Sequence, residues 1–402
     1  MNKTTTSPAQ ILFVQNSYSR ATDLGAVSIL EIIVDPSDLC GFSIKLRFGD
    51  AKMKKSLVAL ALTGAFSASA FAQSAVEIYG VVDMGFVTEQ GVPAVPTKSL
   101  AGGPIDKLTS GVQSGTRLGF KGTEDLGNNL KALFVLETGI DADTGGFNQG
   151  NTAFARQSFV GLQSDLGTLT LGRQYTPIFN TMMVADPFAA GMAGAAQSLM
   201  PTGGIRMNNT IKYTSPILPG GFSTEIAYGF GEAPNTTTTG QESSIAINYR
   251  VGDLKASLAY NDWSAAVPNS SPTAYAKRKD WFLAANYDLK FAKIFGGITD
   301  TNDLAPDRIR SNDYLVGVQI PYGKHTFIAS YIAKNVRNMD ERDASLIALG
   351  YTYSLSKRTN LYAAYGRIDN ETNDPTKIFT VGNNSETGRG EKAFNLGLRH
   401  FF

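Results

Sequence analysis

Short runs in which apolar and polar residues alternate recur from Gln73 to Phe402, each closed by Gly, Asn, Asp or Pro, with no sustained helical period among them. A period of two is the strongest constraint on this chain. It builds strands with one apolar and one polar face, and the apolar face must leave water. The pattern predicts about sixteen strands, near 76–88, 113–123, 129–140, 153–163, 168–175, 206–215, 221–230 and 241–251 in the first half. The second half continues near 254–262, 279–288, 291–300, 312–320, 324–333, 343–354, 358–367 and 392–402.

The connections alternate in length. Asp125-Leu126-Gly127-Asn128, Asp165-Leu166-Gly167, Val251-Gly252-Asp253 and Pro321-Tyr322-Gly323 are tight, whereas 89–112, 176–205, 263–278 and 368–391 are long. Tight turns at one end and long loops at the other are the pattern of a transmembrane β-barrel. In lipid each backbone N–H and C=O needs a partner, so the sheet has to close on itself, and an even strand count brings the last strand beside the first. The expectation is an all-β chain folded as a 16-stranded antiparallel transmembrane β-barrel. A strand crosses a bilayer with about 9–11 residues. Roughly twenty residues per strand and connection satisfy that, and sixteen strands enclose an aqueous channel where eight would be filled by side chains.

The last strand carries the pattern best. Phe394, Leu396, Leu398, His400 and Phe402 share one face, expected to meet lipid, while Asn395, Gly397, Arg399 and Phe401 face the lumen. A terminal Phe402 after alternating apolar residues resembles the C-terminal signal that the barrel-assembly machinery reads.

Met53 to Ala72 reads as a secretory signal peptide: Lys54 and Lys55, a short apolar run from Leu57 to Phe66, then Ala70-Phe71-Ala72 before Gln73. Cleavage is expected between Ala72 and Gln73. The apolar run is too short to span a bilayer. Residues 1–52 precede the signal and are read as an upstream extension or a mis-assigned start, disordered in either case, leaving 73–402 as the barrel. Cleavage would remove seven Lys/Arg and five Asp/Glu and leave a formal charge of −1. It would also remove Cys40, the single cysteine. That excludes a disulfide scaffold and cysteine metal sites. With only His325 and His400 as histidines, no metal and no cofactor is expected. A near-neutral chain without a basic tract is not a nucleic-acid binder.

Several segments together resemble the general porins of Gram-negative bacteria, most closely those of β-proteobacteria. They are Val76–Asp83 (VEIYGVVD), Thr116–Gly127 (TRLGFKGTEDLG), Phe159–Leu162, Gly167–Gln174, Asn208–Tyr213 and Gly397–Phe402. The resemblance covers essentially all of 73–402. It implies a homotrimer in the outer membrane, among outer-membrane lipid and lipopolysaccharide, that passes small hydrophilic solutes and ions. It also implies that the third external loop, here about 176–205, folds inward and narrows the pore.

In that family a basic ladder on the wall faces acids on the loop. Arg117, Arg156 and Arg206 match the ladder positions, and Asp186 is the candidate acid of the loop. Parity agrees for the second strand, where Arg117 and Lys121 face in while Leu118 and Phe120 face out. Glu137 likewise alternates inward with Lys131. Lys121 and Glu137 complete the expected constriction. Such a transverse field selects ions by local charge, and three arginines against one loop acid suggest a weak anion preference. Arg173 shares a face with Leu169 and Leu171. A guanidinium facing lipid costs about 2–4 kcal/mol at mid-bilayer, so Arg173 is expected at the subunit interface, paired with a neighbouring loop.

Competing readings fit less well. A lipase-type barrel enzyme needs a His beside a Ser and an orienting partner, and neither histidine is placed for that. A substrate-specific channel or an adhesin-like barrel would share the architecture. A soluble β-sandwich leaves the signal peptide and the Phe402 strand without a purpose.

Overall fold

The computed structural model describes residues 75–92, 103–200, 202–232, 240–266, 275–303, 309–339, 341–372, 379–386 and 388–402. The extension 1–52, the signal segment 53–72 and the Ala72–Gln73 junction lie outside the described residues. Among the described residues nineteen strands form one sheet. Three of them, Ile105–Ser110, Gly146–Phe147 and Arg206–Met207, are short pieces outside the wall hairpins. The other sixteen are the wall.

In chain order the wall strands are β1 (Ala75–Gln90), β2 (Arg117–Gly127), β3 (Leu130–Asp141), β4 (Gln157–Ser164), β5 (Gly167–Tyr175) and β6 (Thr210–Thr214). They continue as β7 (Phe222–Gly229), β8 (Glu242–Val251), β9 (Leu254–Ala266), β10 (Tyr275–Asp288) and β11 (Lys293–Asp303). The last five are β12 (Arg310–Tyr322), β13 (His325–Val336), β14 (Ala344–Ser354), β15 (Thr359–Asn370) and β16 (Lys392–Phe401). Each pairs antiparallel with the next. The barrel closes where β1 meets β16, from Val81 opposite Phe401 to Gln90 opposite Lys392. The lower half of β1, Ala75–Val81, pairs with β2.

The alternation does what the sequence pattern requires. Val160 and Leu349 on the outer face are 55% and 60% exposed. Asn395 on the inner face of β16 is buried, while Phe394, Leu396 and Leu398 on its outer face are exposed. Apolar side chains turned outward around a closed sheet need a lipid environment. At the tight end, Asn128 and Asn129 both take positive φ, 52° and 60°, as a two-residue hairpin turn demands.

The predicted strand over 206–215 is interrupted. Arg206–Met207 pairs with the end of β5, and the chain rejoins the wall at β6 after Asn209, whose φ is 50°. This break sets Arg206 opposite Tyr175.

The buried core lies inside the barrel, because the connection from Thr176 to Ile205 folds onto the inner wall. It begins with helix α1 (Pro177–Ala185), whose first turn is capped by the Thr176 side chain accepting from Phe179 N at 3.2 Å, with Pro177 at its first position. Ile178, Met182, Phe188, Met192, Leu199 and Met200 of this connection are all buried, together with wall residues such as Phe282, Ile332, Leu346 and Ile368. Two glycines on the inner face make room. A Cβ at Gly350 would lie 2.5 Å from the Phe188 ring, and one at Gly366 would fall onto the Ala193 carbonyl oxygen.

Candidate functional site in the barrel lumen

Three arginines from three parts of the chain converge on one carboxylate and one phenol. Glu137 projects inward from β3 and is 4% exposed. Arg156, just before β4, donates from Nε to Glu137 Oε1 at 2.8 Å. Arg117, at the start of β2, places its Nε 3.7 Å from Glu137 Oε2. Tyr79 of β1 donates to the same oxygen at 3.0 Å. The Tyr175 hydroxyl at the end of β5 accepts from Arg156 at 2.8 Å and from Arg206 at 2.9 Å. The Arg206 guanidinium also lies over the Tyr175 ring, 4.5 Å from its centre, a geometry that stabilises a cation. Phe179 of α1 stacks on Tyr175 as well, with ring centres 5.2 Å apart.

The cluster carries three positive charges against one negative. It borders a cavity of about 340 Å³ lined also by Gln149, Phe179, Gln197 and Asn384. Loops complete that cavity. Asn384 accepts from Gly115 N at 2.6 Å and donates to the Ala190 carbonyl at 2.9 Å, so one side chain ties three connections together. Farther along the wall, Lys212 of β6 pairs with Glu225 of β7 at 2.6 Å, and Asn180 of α1 donates to the same carboxylate at 2.8 Å.

The expected constriction residues therefore divide. Arg117, Arg156, Arg206 and Glu137 are brought together. Lys121 does not reach Glu137: it pairs with Glu77 at 3.1 Å toward the tight-turn end, lies over the Tyr79 ring 5.2 Å from its centre, and is about half exposed. Asp186 corrects the expectation of an acid facing the arginines. It is 2% exposed, and its carboxylate accepts three N–H groups of its own loop, from Phe188 at 2.8 Å, Ala190 at 2.8 Å and Ala196 at 3.0 Å. Burial pushes this carboxyl up to about 6, although the three donors oppose the shift. It organises the loop rather than charging the pore.

Arg173 finds partners within its own chain. Its Nε donates to the Ala155 carbonyl at 2.6 Å and its Nη1 to Asn208, and it reaches the rim of the same cavity. Its partners come from its own chain, so a neighbouring loop is not required to satisfy it. Sequence reasoning missed Tyr79 and Tyr175. For Tyr79 the signal was available in parity, since it stands opposite Gly119, on the inward face of β2 with Arg117; by parity Tyr175 falls with Leu169, Leu171 and Arg173, and only the tertiary structure brings its hydroxyl to Arg156 and Arg206.

Comparison with known proteins decides what this lumen belongs to. The model of the Gram-negative porin family matches residues 56–373, more than half of the chain. The chain belongs to the Gram-negative porin family. Porin protein 32 of the outer membrane of Delftia acidovorans is 33% identical over 370 residues, covering 87% of this chain and all of the relative. An outer-membrane porin protein of Bordetella pertussis is 30% identical with the same coverage, 87% and 100%. Among solved structures, an anion-selective porin from Comamonas acidovorans superposes with a TM-score of 0.70 at 29% identity, over 82% of this chain and 100% of that one. The trimer form of OmpT of Vibrio cholerae matches with a TM-score of 0.61 at 15% identity, over 82% of this chain and 99% of that one, which speaks for the fold alone. This porin is thus an outer-membrane channel and not an enzyme.

Proposed function

We propose that this porin is a general diffusion channel for small hydrophilic solutes and ions, narrowed by the 176–205 loop and weakly selective for anions. The observation that carries the reading is the gathering of three arginines beside a single carboxylate: Arg117 and Arg156 on Glu137, and Arg206 joined to Arg156 through the Tyr175 hydroxyl. An anion passing such a cluster meets a net positive field in a lumen whose walls are protein rather than bulk water. The loop packs with wall residues such as Phe282, Ile332 and Leu346, and its Phe179, Gln197 and Ile205 line the cavity beside the arginines. The related anion-selective porin of Comamonas acidovorans supports the sign of the preference.

The functional unit on this reading is a homotrimer, as membership of the porin family suggests. The same reading has 53–72 removed after Ala72 during export. It has Phe402 read by the barrel-assembly machinery, and the outer wall seated among outer-membrane lipid and lipopolysaccharide.

The test is a planar bilayer holding the purified mature protein across a potassium chloride gradient. Stepwise conductance in groups of three and a reversal potential on the chloride side are expected. The double variant Arg156→Ala, Arg206→Ala should move the reversal potential toward potassium. A unit charge acting over about 4 Å in water is worth about 1 kcal/mol, so the permeability ratio should fall by up to about fivefold per arginine. A reversal potential on the potassium side in the unaltered protein would refute the anion reading. Absence of conductance would refute the channel reading.

A further inference from the structure

The outer wall is largely apolar. Near the tight-turn rim of β13–β16 it carries a groove of about 520 Å³, lined by His325, Tyr351, Tyr353, Leu361, Ala363 and Leu396. Register explains the dent. Ala363 stands between Tyr351 on β14 and Leu396 on β16, so one methyl group separates two large neighbours in a lateral row. His325 Nδ1 meets the Tyr351 hydroxyl at 2.7 Å and makes a polar end of the groove at the rim. Tight turns face the periplasm in such barrels, so the groove opens in the periplasmic leaflet.

The rim below the groove has an unusual charge. The segments 317–328, 349–361 and 396–402, which form the ends of β12–β16 and their turns, contain no Asp or Glu. They contain Lys324, Lys357 and Arg358, all exposed. The turns abut: Ser354 N donates to the Lys324 carbonyl, and Phe401 N to the Arg358 carbonyl, both at 2.8 Å. At two other positions on this end of the barrel a cation stands beside an acid, Lys121 with Glu77 and Lys290 with Asp253. Among the described residues no acid engages Lys324, Lys357 or Arg358.

We propose that this face binds one anionic phospholipid of the periplasmic leaflet, an acyl chain in the Ala363 groove and the headgroup phosphate on Lys324, Lys357 and Arg358. An apolar slot opening onto unpaired cations at the headgroup level matches the two chemistries of such a lipid, and a zwitterionic lipid would match only the first. A soluble acidic peptide would use the cations but leave the groove empty. The site is separate from the constriction and does not depend on the selectivity assigned to it.

The experiment is native mass spectrometry of the purified protein in its assembled state, with phosphatidylglycerol or phosphatidylcholine added to the detergent. One retained phosphatidylglycerol per barrel is expected, with phosphatidylcholine retained at least tenfold less. The triple variant Lys324→Gln, Lys357→Gln, Arg358→Gln should lose the preference, and Ala363→Trp, which fills the groove, should lose retention of the lipid. Lys255→Gln with Lys290→Gln, which removes cations at another turn, should change nothing. Equal retention of the two lipids, or retention unchanged in both the triple variant and Ala363→Trp, would overturn the site. So would binding of glycerol phosphate or poly-glutamate as tight as that of phosphatidylglycerol, since neither uses the groove.

Discussion

Replacing Asp186 by Ala should loosen the inner loop without touching the charge at the constriction. The carboxylate takes N–H groups from Phe188, Ala190 and Ala196 at 2.8, 2.8 and 3.0 Å. A buried donor left without an acceptor costs about 1–3 kcal/mol, so three orphaned donors cost about 6 kcal/mol in the middle of that range. One effect opposes this. Burial holds the carboxyl at about 6 against an ordinary value of 3.8, and at about 1.4 kcal/mol per unit its removal relieves about 3 kcal/mol at neutral pH. The net loss in loop docking is then about 3 kcal/mol, roughly a hundredfold in the ratio of docked to undocked loop. The sign of the pH dependence follows. A carboxyl raised in the docked state takes up its proton there first, so docking in the unaltered protein strengthens as pH falls from above 6 towards 4. The relief term disappears over the same window, and the gap between variant and unaltered protein should widen at acid pH. Single-channel recording reads this directly. The variant should show open-channel flicker at pH 7.5, and the difference from the unaltered protein should be larger at pH 4.5. Quiet traces at both pH values would refute the reasoning. A shifted reversal potential with quiet traces would restore Asp186 as a pore acid.

Other outcomes follow from the same geometry. Glu137→Gln keeps an acceptor for Arg156 but removes the carboxylate that both Arg117 and Arg156 contact; anion preference should rise by about two- to fivefold in reversal-potential measurements. Lys121→Gln should leave that preference nearly unchanged, whereas Arg117→Gln should lower it, and equal effects of the two would contradict the division seen in the lumen. Gly366→Val places a side chain against the Ala193 carbonyl; the barrel should still assemble and resist heat in detergent, but single-channel conductance should change as the loop is displaced. Phe402→Ser should reduce the yield of assembled protein in outer-membrane fractions, with no effect expected on selectivity in whatever does assemble.

The sixteen wall strands were legible because their information is local. Each run of alternating residues states which face it will bury, and each Asn, Gly or Pro closes it, so boundaries such as 241–251 and 343–354 fall within a residue or so of β8 and β14. Closure was legible as well, since unpaired strand edges are not tolerated in lipid. Parity along β2 and β3 was enough to turn Arg117 and Glu137 inward.

The loop was legible only in part. Its length set it apart as a long connection, and the family resemblance implied that it would fold inward. Its contacts are set by residues far away in sequence, among them Gly350 and Gly366 on strands that lie more than a hundred residues later. Those contacts bury Asp186 and leave its own backbone as its partner. The break at Asn209 similarly decides that Arg206 meets Tyr175, and Arg173 finds Ala155 and Asn208 for the same reason. By itself, then, the sequence determined a closed transmembrane barrel and the faces of its strands, because a period of two is a local rule. Only the tertiary structure decided which charges meet in the lumen, because that depends on how a loop with no period of its own packs against a wall built from the rest of the chain.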